Sequence, residues 1–136
     1  MLKKYDFVVH LHLAKRAGKH WDIRFQIPDK PHLWASFASR KEPPLKTGIK
    51  TMVIRTHDHT KKEALFTGEI KEGYGTGKLS VWDEGKCQIE KFTNKHIVII
   101  FEGRKLKGKY HFLSTSMILK NREKRSYLFF KAKETK

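Results

Sequence analysis

The sequence predicts an all-β fold: a compact single-domain barrel over residues 1–136, mainly antiparallel and with little helix. Three observations predict it. Short segments rich in Val, Ile, Phe and Tyr recur along the chain, separated by Gly, Pro, Asn or charged turns. No stretch of helical length sustains a 3.6-residue apolar period. A chain of 136 residues builds one core but not two.

The first two strands form a hairpin. Phe7, Val9, Leu11 and Leu13 share one face, and Asp6, Val8, His10 and His12 the other. After a loop at roughly residues 13–19, Trp21, Ile23, Phe25 and Ile27 share a face opposite His20, Asp22, Arg24 and Gln26. Pairing His12 with His20, or with Asp22, keeps both polar sets on one surface. A one-residue slip would send His12 to the apolar side. Further strands are expected at Leu33–Ala38, Ile49–His57, Ala64–Ile70, Lys78–Asp83, Cys87–Phe92, His96–Phe101, Tyr110–Met117 and Ser126–Lys131. The continuous apolar run Val98–Phe101 suggests a strand covered on both sides. Pro43–Pro44 and the glycine-rich stretch Gly73–Gly77 mark loops. A basic turn at Lys120, Arg122, Lys124 and Arg125 precedes the last strand, and Lys131–Lys136 reads as a solvated basic tail.

Thirty Lys and Arg against fourteen Asp and Glu give a net charge of +16. That excess points to a polyanion, most simply nucleic acid, because cationic side chains release the counterions condensed on phosphates. Cys87 is the single cysteine, which excludes an intrachain disulfide and cysteine-based zinc modules. There is no signal-peptide core, lipidation signal or membrane span, so a soluble, cytoplasmic protein is expected.

The hairpin carries H-x7-H-x-D-x-R, from His12 to Arg24. Two imidazoles and a carboxylate beside a guanidinium suit a divalent metal and a phosphate; the plain alternative is a polar outer strand face with scattered histidines. Lys15 and Arg16, in the loop, are read as steering phosphates toward that face. His10 serves as a neighbour to the site or as an ordinary surface histidine, and His57 as a turn residue. Trp34 and Trp82 are expected in the core, His111 on solvated surface, and Tyr74 in a turn.

The run FVVHLHLAKRAGKHWDIRF resembles the signature of the 3′-phosphoesterase domain of bacterial ATP-dependent DNA ligase D and its stand-alone archaeal and bacterial relatives. The likeness continues through LWASFASRKEPP, THDHTKKEALFTGEI, the EGYGTG–VWDEG stretch and LKGKYHF. It implies a compact β-barrel that uses Mn²⁺, or Co²⁺ or Zn²⁺ in its place, to trim DNA 3′ ends in non-homologous end joining. Such an enzyme removes a 3′-phosphate, and many members first remove a terminal ribonucleoside. By resemblance His12, His20 and Asp22 match the metal ligands, Arg24 and His59 the residues engaging the scissile phosphate, and Lys41 a further basic position. The DNA ligase and polymerase of end joining would be separate chains in a prokaryotic cell.

The sequence departs from the family pattern in places. The His12–His20 loop is longer than usual, Thr51 stands where relatives carry arginine, and Glu63 where they commonly carry tyrosine. Alternation from Val53 places Arg55 with His57 and His59, which makes Arg55 a candidate phosphate ligand in place of the missing arginine. Longer members add an N-terminal arm that contributes to nucleoside removal, whereas this sequence begins close to its first strand. Phosphate removal is therefore the expected activity, and the nucleoside step stays open. Two rivals remain at this level: a non-catalytic barrel binding single-stranded or primer-template nucleic acid, and an iron-dependent oxygenase, since His20-x-Asp22 also opens a two-His-one-carboxylate triad.

Overall fold

The computed structural model describes residues 3–16, 18–71, 76–117 and 125–133. Its first hairpin pairs β1 (Lys4–Ala14) with β2 (Gly18–Ile27), setting Phe7 opposite Phe25, Val9 opposite Ile23 and His12 opposite His20. Gly18 enters β2 at φ 74°, a left-handed conformation that only glycine adopts without steric penalty. The sheet continues through β3 (Lys30–Ser39) and β4 (Lys50–Arg55) to β10 (Ser126–Lys131). It then passes through β9 (Lys107–Ser114), β8 (His96–Glu102) and β7 (Gly77–Phe92). Because β7 pairs back onto β1 from Lys4–Gln88 to Ala14–Gly77, eight antiparallel strands close into a barrel. Closure leaves neither of these strands an open edge.

Alternation fills the interior. Val9, Ile23, Phe25, Phe37, Phe112 and Phe129 belong to one fully buried cluster, with the Phe37–Phe112 and Phe112–Phe129 ring centroids each 4.4 Å apart. The thiol of Cys87 lies in the same core, where burial pushes its pKa up to about 12. Asp83, also buried, faces inward at one end. Its carboxylate accepts the backbone N–H groups of Glu84, Arg104, Lys105 and Leu106 at 2.8–3.1 Å, tying the β8–β9 turn to β7.

Four expectations change. The strand expected over Ala64–Ile70 is instead a short helix, α1 (Lys61–Leu65), followed by β6 (Gly68–Ile70), which pairs with β7. A capping box causes this: Thr60 Oγ1 accepts the Glu63 N–H, and Glu63 Oε1 accepts the Thr60 N–H. The two strands expected at Lys78–Asp83 and Cys87–Phe92 are one continuous β7. Gly85 permits this, since a Cβ there would lie 2.4 Å from the Glu102 carbonyl oxygen. Next, β4 stops at Arg55, and only His59–Thr60 resumes as β5, paired with β3. The last residues of the expected Tyr110–Met117 strand, Thr115–Met117, form a 3₁₀ turn. β10 has the bounds expected for the last strand, ending at Lys131 opposite Tyr110, while Lys120, Arg122, Lys124, Tyr74 and the last three residues lie outside the described residues. No helix among the described residues is long and apolar enough to cross a membrane.

Candidate metal and phosphate site

With Phe7, Val9, Ile23 and Phe25 turned inward, the alternate residues of β1 and β2 face the outer wall of the barrel. Register then aligns them: His12 opposite His20, His10 opposite Asp22, and Val8 opposite Arg24. On the far side of β2, Ala38 of β3 lies opposite Asp22 and Ser36 opposite Arg24. A shelf covers part of this wall. Ala64, the one buried residue of α1, packs against Val8 and Trp34 in a small second core.

His12 Nδ1 lies 3.5 Å from Asp22 Oδ2, and His20 Nε2 lies 3.3 Å from Asp22 Oδ1. All three residues offer a ligand atom within 4.8 Å of the other two. Ligands bonded to one ion at about 2.1 Å stand roughly 3.0–3.4 Å apart at adjacent positions, so the spacing fits a divalent metal with small adjustments. His20 Nδ1 is 3.1 Å from the Gly18 carbonyl oxygen, an outer contact that orients the ring and sets Nε2 toward Asp22. Burial works to raise the Asp22 pKa, but the imidazoles of His12 and His20 and the charge of Arg24 outweigh it. The carboxyl is held well below its ordinary range. The hydrogen bond to Asp22 raises the pKa of His20.

Arg24, 7% exposed, is braced on several sides. Its Nε donates to Ser36 Oγ at 3.1 Å, and its Nη1 lies 3.4 Å from the Glu63 and Ala64 carbonyl oxygens and from His10 Nδ1. Nη2, 3.6 Å from Asp22 Oδ2, points toward the triad. His10 is fully buried. Burial, followed by the Arg24 charge, pushes its pKa down to about 4, so the ring is neutral and Nδ1 accepts from Arg24. His59, half-buried in β5, has its pKa pushed down to about 4 by burial and then by Arg24; its Nδ1 is sealed from solvent with no hydrogen-bond partner.

The structure therefore brings His12, His20, Asp22, Arg24 and His59 together around one patch of the wall. It does not bring Arg55. That guanidinium lies over the rings of Phe37 and Phe92, at 5.7 and 5.5 Å, and binds Asp58 at 3.2 Å. Its partner in register is Phe37, on the inward face, and alternation does not carry past the end of β4. Lys41 lines a neighbouring groove of about 440 Å³ with Ala38, Met52, Ile54 and Leu128. Lys15 and Arg16 are exposed in the β1–β2 turn; Lys15 borders a separate cavity of about 460 Å³ beside Lys71 and Lys78.

Sequence reasoning missed the covered environment of His10, the Ser36 contact and the α1 carbonyls. The Thr60-x-x-Glu63 pattern was the readable signal for that helix. Trp34 is buried, but beneath α1 rather than inside the barrel; Trp82 is half-buried against the core with Lys105 over its ring. His57 is exposed. His111 stacks on His96 and Phe130 rather than standing free in solvent.

Residues 10–114 match the sequence model of the DNA Ligase D 3′-phosphoesterase domain. The chain is similar to the multifunctional non-homologous end joining DNA repair protein LigD of Mycobacterium tuberculosis. The two are 31% identical over 115 residues, covering 81% of this chain and 14% of that protein. The corresponding protein of Mycolicibacterium smegmatis is 30% identical over 121 residues, covering 80% of this chain and 15% of its own length. That of Pseudomonas aeruginosa is 31% identical over 117 residues, covering 82% and 13%. The chain thus spans about one-seventh of the length of these relatives.

Proposed function

The chain belongs to the DNA ligase D 3′-phosphoesterase domain family, and on that premise we propose that it is a metal-dependent phosphoesterase that processes DNA 3′ ends for repair. It removes a 3′-phosphate to leave a 3′-hydroxyl, acting on primer-template or single-stranded ends. The observation that carries this reading is the convergence of His12, His20 and Asp22 on one point beside Arg24. The net charge of +16 supports a nucleic-acid substrate.

His12, His20 and Asp22 would hold the ion, by preference Mn²⁺, with Co²⁺ or Zn²⁺ in its place; an N,N,O donor set with open positions suits each. When bound, the ion supplies Lewis acidity toward a phosphoryl oxygen and toward water. Asp22 stays ionised at every physiological pH, so it keeps its ligand charge without competition from protons. Arg24 has Nε and Nη1 occupied by Ser36 and α1, which orients the guanidinium and leaves Nη2 to meet a phosphate oxygen. His10, neutral, steadies that orientation. His59 engages the same phosphate as an electrostatic clamp or as acid to the departing 3′-oxygen. The substrate's negative charge favours the imidazolium, offsetting the burial and the Arg24 charge that keep the ring neutral in the free protein. Lys41, Lys15 and Arg16 draw in the remaining strand.

The test is incubation with a 3′-phosphorylated primer-template in Mn²⁺ or in EDTA. Phosphate release in Mn²⁺ alone supports the reading. Binding without release under any divalent ion would replace it with a non-catalytic nucleic-acid-binding barrel. Parallel incubation with a primer ending in one ribonucleotide measures the nucleoside-removing step separately.

A further inference from the structure

A second set of metal-ligating side chains converges beside Arg24, on residues that the triad does not use. His57 and His59, two apart in the extended chain leading to α1, bring their ring centroids to 4.2 Å. Glu63, in the first turn of α1, sets Oε1 4.0 Å from His59 Nδ1. Each of the three offers a ligand atom within 4.8 Å of the other two.

Two observations bear on what this cluster could hold. His59 Nδ1 is buried without any hydrogen-bond partner, although leaving a buried polar atom unpaired costs about 1–3 kcal/mol. Its nearest acidic neighbour, at 4.0 Å, is too far for a hydrogen bond. Two adjacent ligands on one ion at about 2.1 Å stand roughly 3.0–3.4 Å apart, so a cation here needs the pair to close by about half an ångström, a movement open to the exposed Glu63 side chain. Two of the three residues are also held in place. β5 fixes His59 against Trp34, and the capping box fixes Glu63 to Thr60.

We propose that His57, His59 and Glu63 form a second divalent-cation site, binding Zn²⁺, Co²⁺ or Mn²⁺ through His59 Nδ1, a ring nitrogen of His57 and the Glu63 carboxylate. Two imidazoles and a carboxylate are a borderline donor set that favours these transition ions over Ca²⁺ or Mg²⁺. Arg24 stands between the two sites, with Nη2 3.6 Å from Asp22 and Nη1 3.4 Å from the Glu63 carbonyl oxygen. The inference rests on the proposed function at one point only, the contact of His59 with phosphate. With Nδ1 on an ion, His59 would stay a neutral ligand in place of the imidazolium and present Nε2–H to that phosphate, so it would act as a clamp and not as a proton donor.

The test is equilibrium dialysis of the full chain against Co²⁺, with bound metal counted by mass spectrometry. Two ions per chain are expected for the natural sequence, and one for His57→Ala or Glu63→Gln. The glutamine retains the capping box, so Glu63→Gln separates metal loss from helix loss. Asp22→Asn should also bind one ion, and Asp22→Asn with Glu63→Gln none. A single ion in the natural sequence, lost with Asp22→Asn and kept with Glu63→Gln, overturns this inference and leaves the proposed function standing. A single ion lost with Glu63→Gln and kept with Asp22→Asn supports the second site and overturns the triad.

Discussion

A neutral, fully buried histidine beside Arg24 should make folding stability depend on pH in a way that one substitution removes. His10 is fully buried, and its pKa falls from 6.5 unfolded to about 4 folded. Between those values the unfolded chain binds the proton and the folded chain does not, so stability falls as pH falls. The contribution is complete above pH 6.5 and is lost as pH drops through about 4. Over that whole window it amounts to about 3 kcal/mol, of which about 2 kcal/mol disappears between pH 7 and pH 5. His59 carries the same sign and His20 the opposite, its raised pKa adding stability that is lost as pH rises. The perturbation is therefore read as a difference. His10→Asn keeps an oxygen acceptor for Arg24 and cannot titrate. Urea unfolding in EDTA, followed by tryptophan fluorescence at pH 7 and pH 5, gives the loss for each protein. The variant should lose about 2 kcal/mol less than the natural sequence on acidification, whatever its stability at pH 7. Equal losses in the two proteins would refute the neutral, buried His10 and with it the acceptor that steadies Arg24.

Other consequences follow from the same geometry. Asp22→Asn should lower Mn²⁺-dependent phosphate release by more than about 100-fold, since even outer-contact losses at metal sites cost 10- to 100-fold, while primer-template affinity at low salt persists in filter binding. Replacing Lys15 and Arg16 together by alanine should flatten the slope of log affinity against log salt by roughly 1.4–1.8, measured on the same primer-template; an unchanged slope removes the turn from the DNA contact surface. Asp83→Ala leaves four backbone N–H groups without their acceptor and should destabilise the barrel by at least about 3 kcal/mol, read as a fall in the urea midpoint.

The hairpin was legible because two constraints acted on the same residues. Period-two alternation divided β1 and β2 into apolar and polar faces, and only the registers that kept both faces consistent were acceptable, including the observed His12–His20 pair. What escaped the sequence was set by structure beyond a strand's own period. Five residues of α1 are too few to register as a helical period, and Phe66 and Ile70 nearby suggested a strand. Gly85 resembled a turn, whereas it admits the Glu102 carbonyl in an unbroken strand. Arg55 was carried onto the polar side by extending the alternation of β4 over residues that are not in a strand. The contacts of Arg24 with His10 and with the α1 carbonyls join elements that lie far apart in sequence.

The chemistry-bearing side chains stand on the outer wall of a closed barrel whose interior is filled with aromatic rings. A nucleic acid therefore need not thread an opening or displace a lid to reach them: it can lie across the wall with its length running off either side. Selection for chain ends cannot come from an enclosing cavity. For the proposed 3′-end activity, any preference for ends would rest on this open wall itself, where α1 stands beside Arg24 through the Glu63 and Ala64 carbonyl contacts.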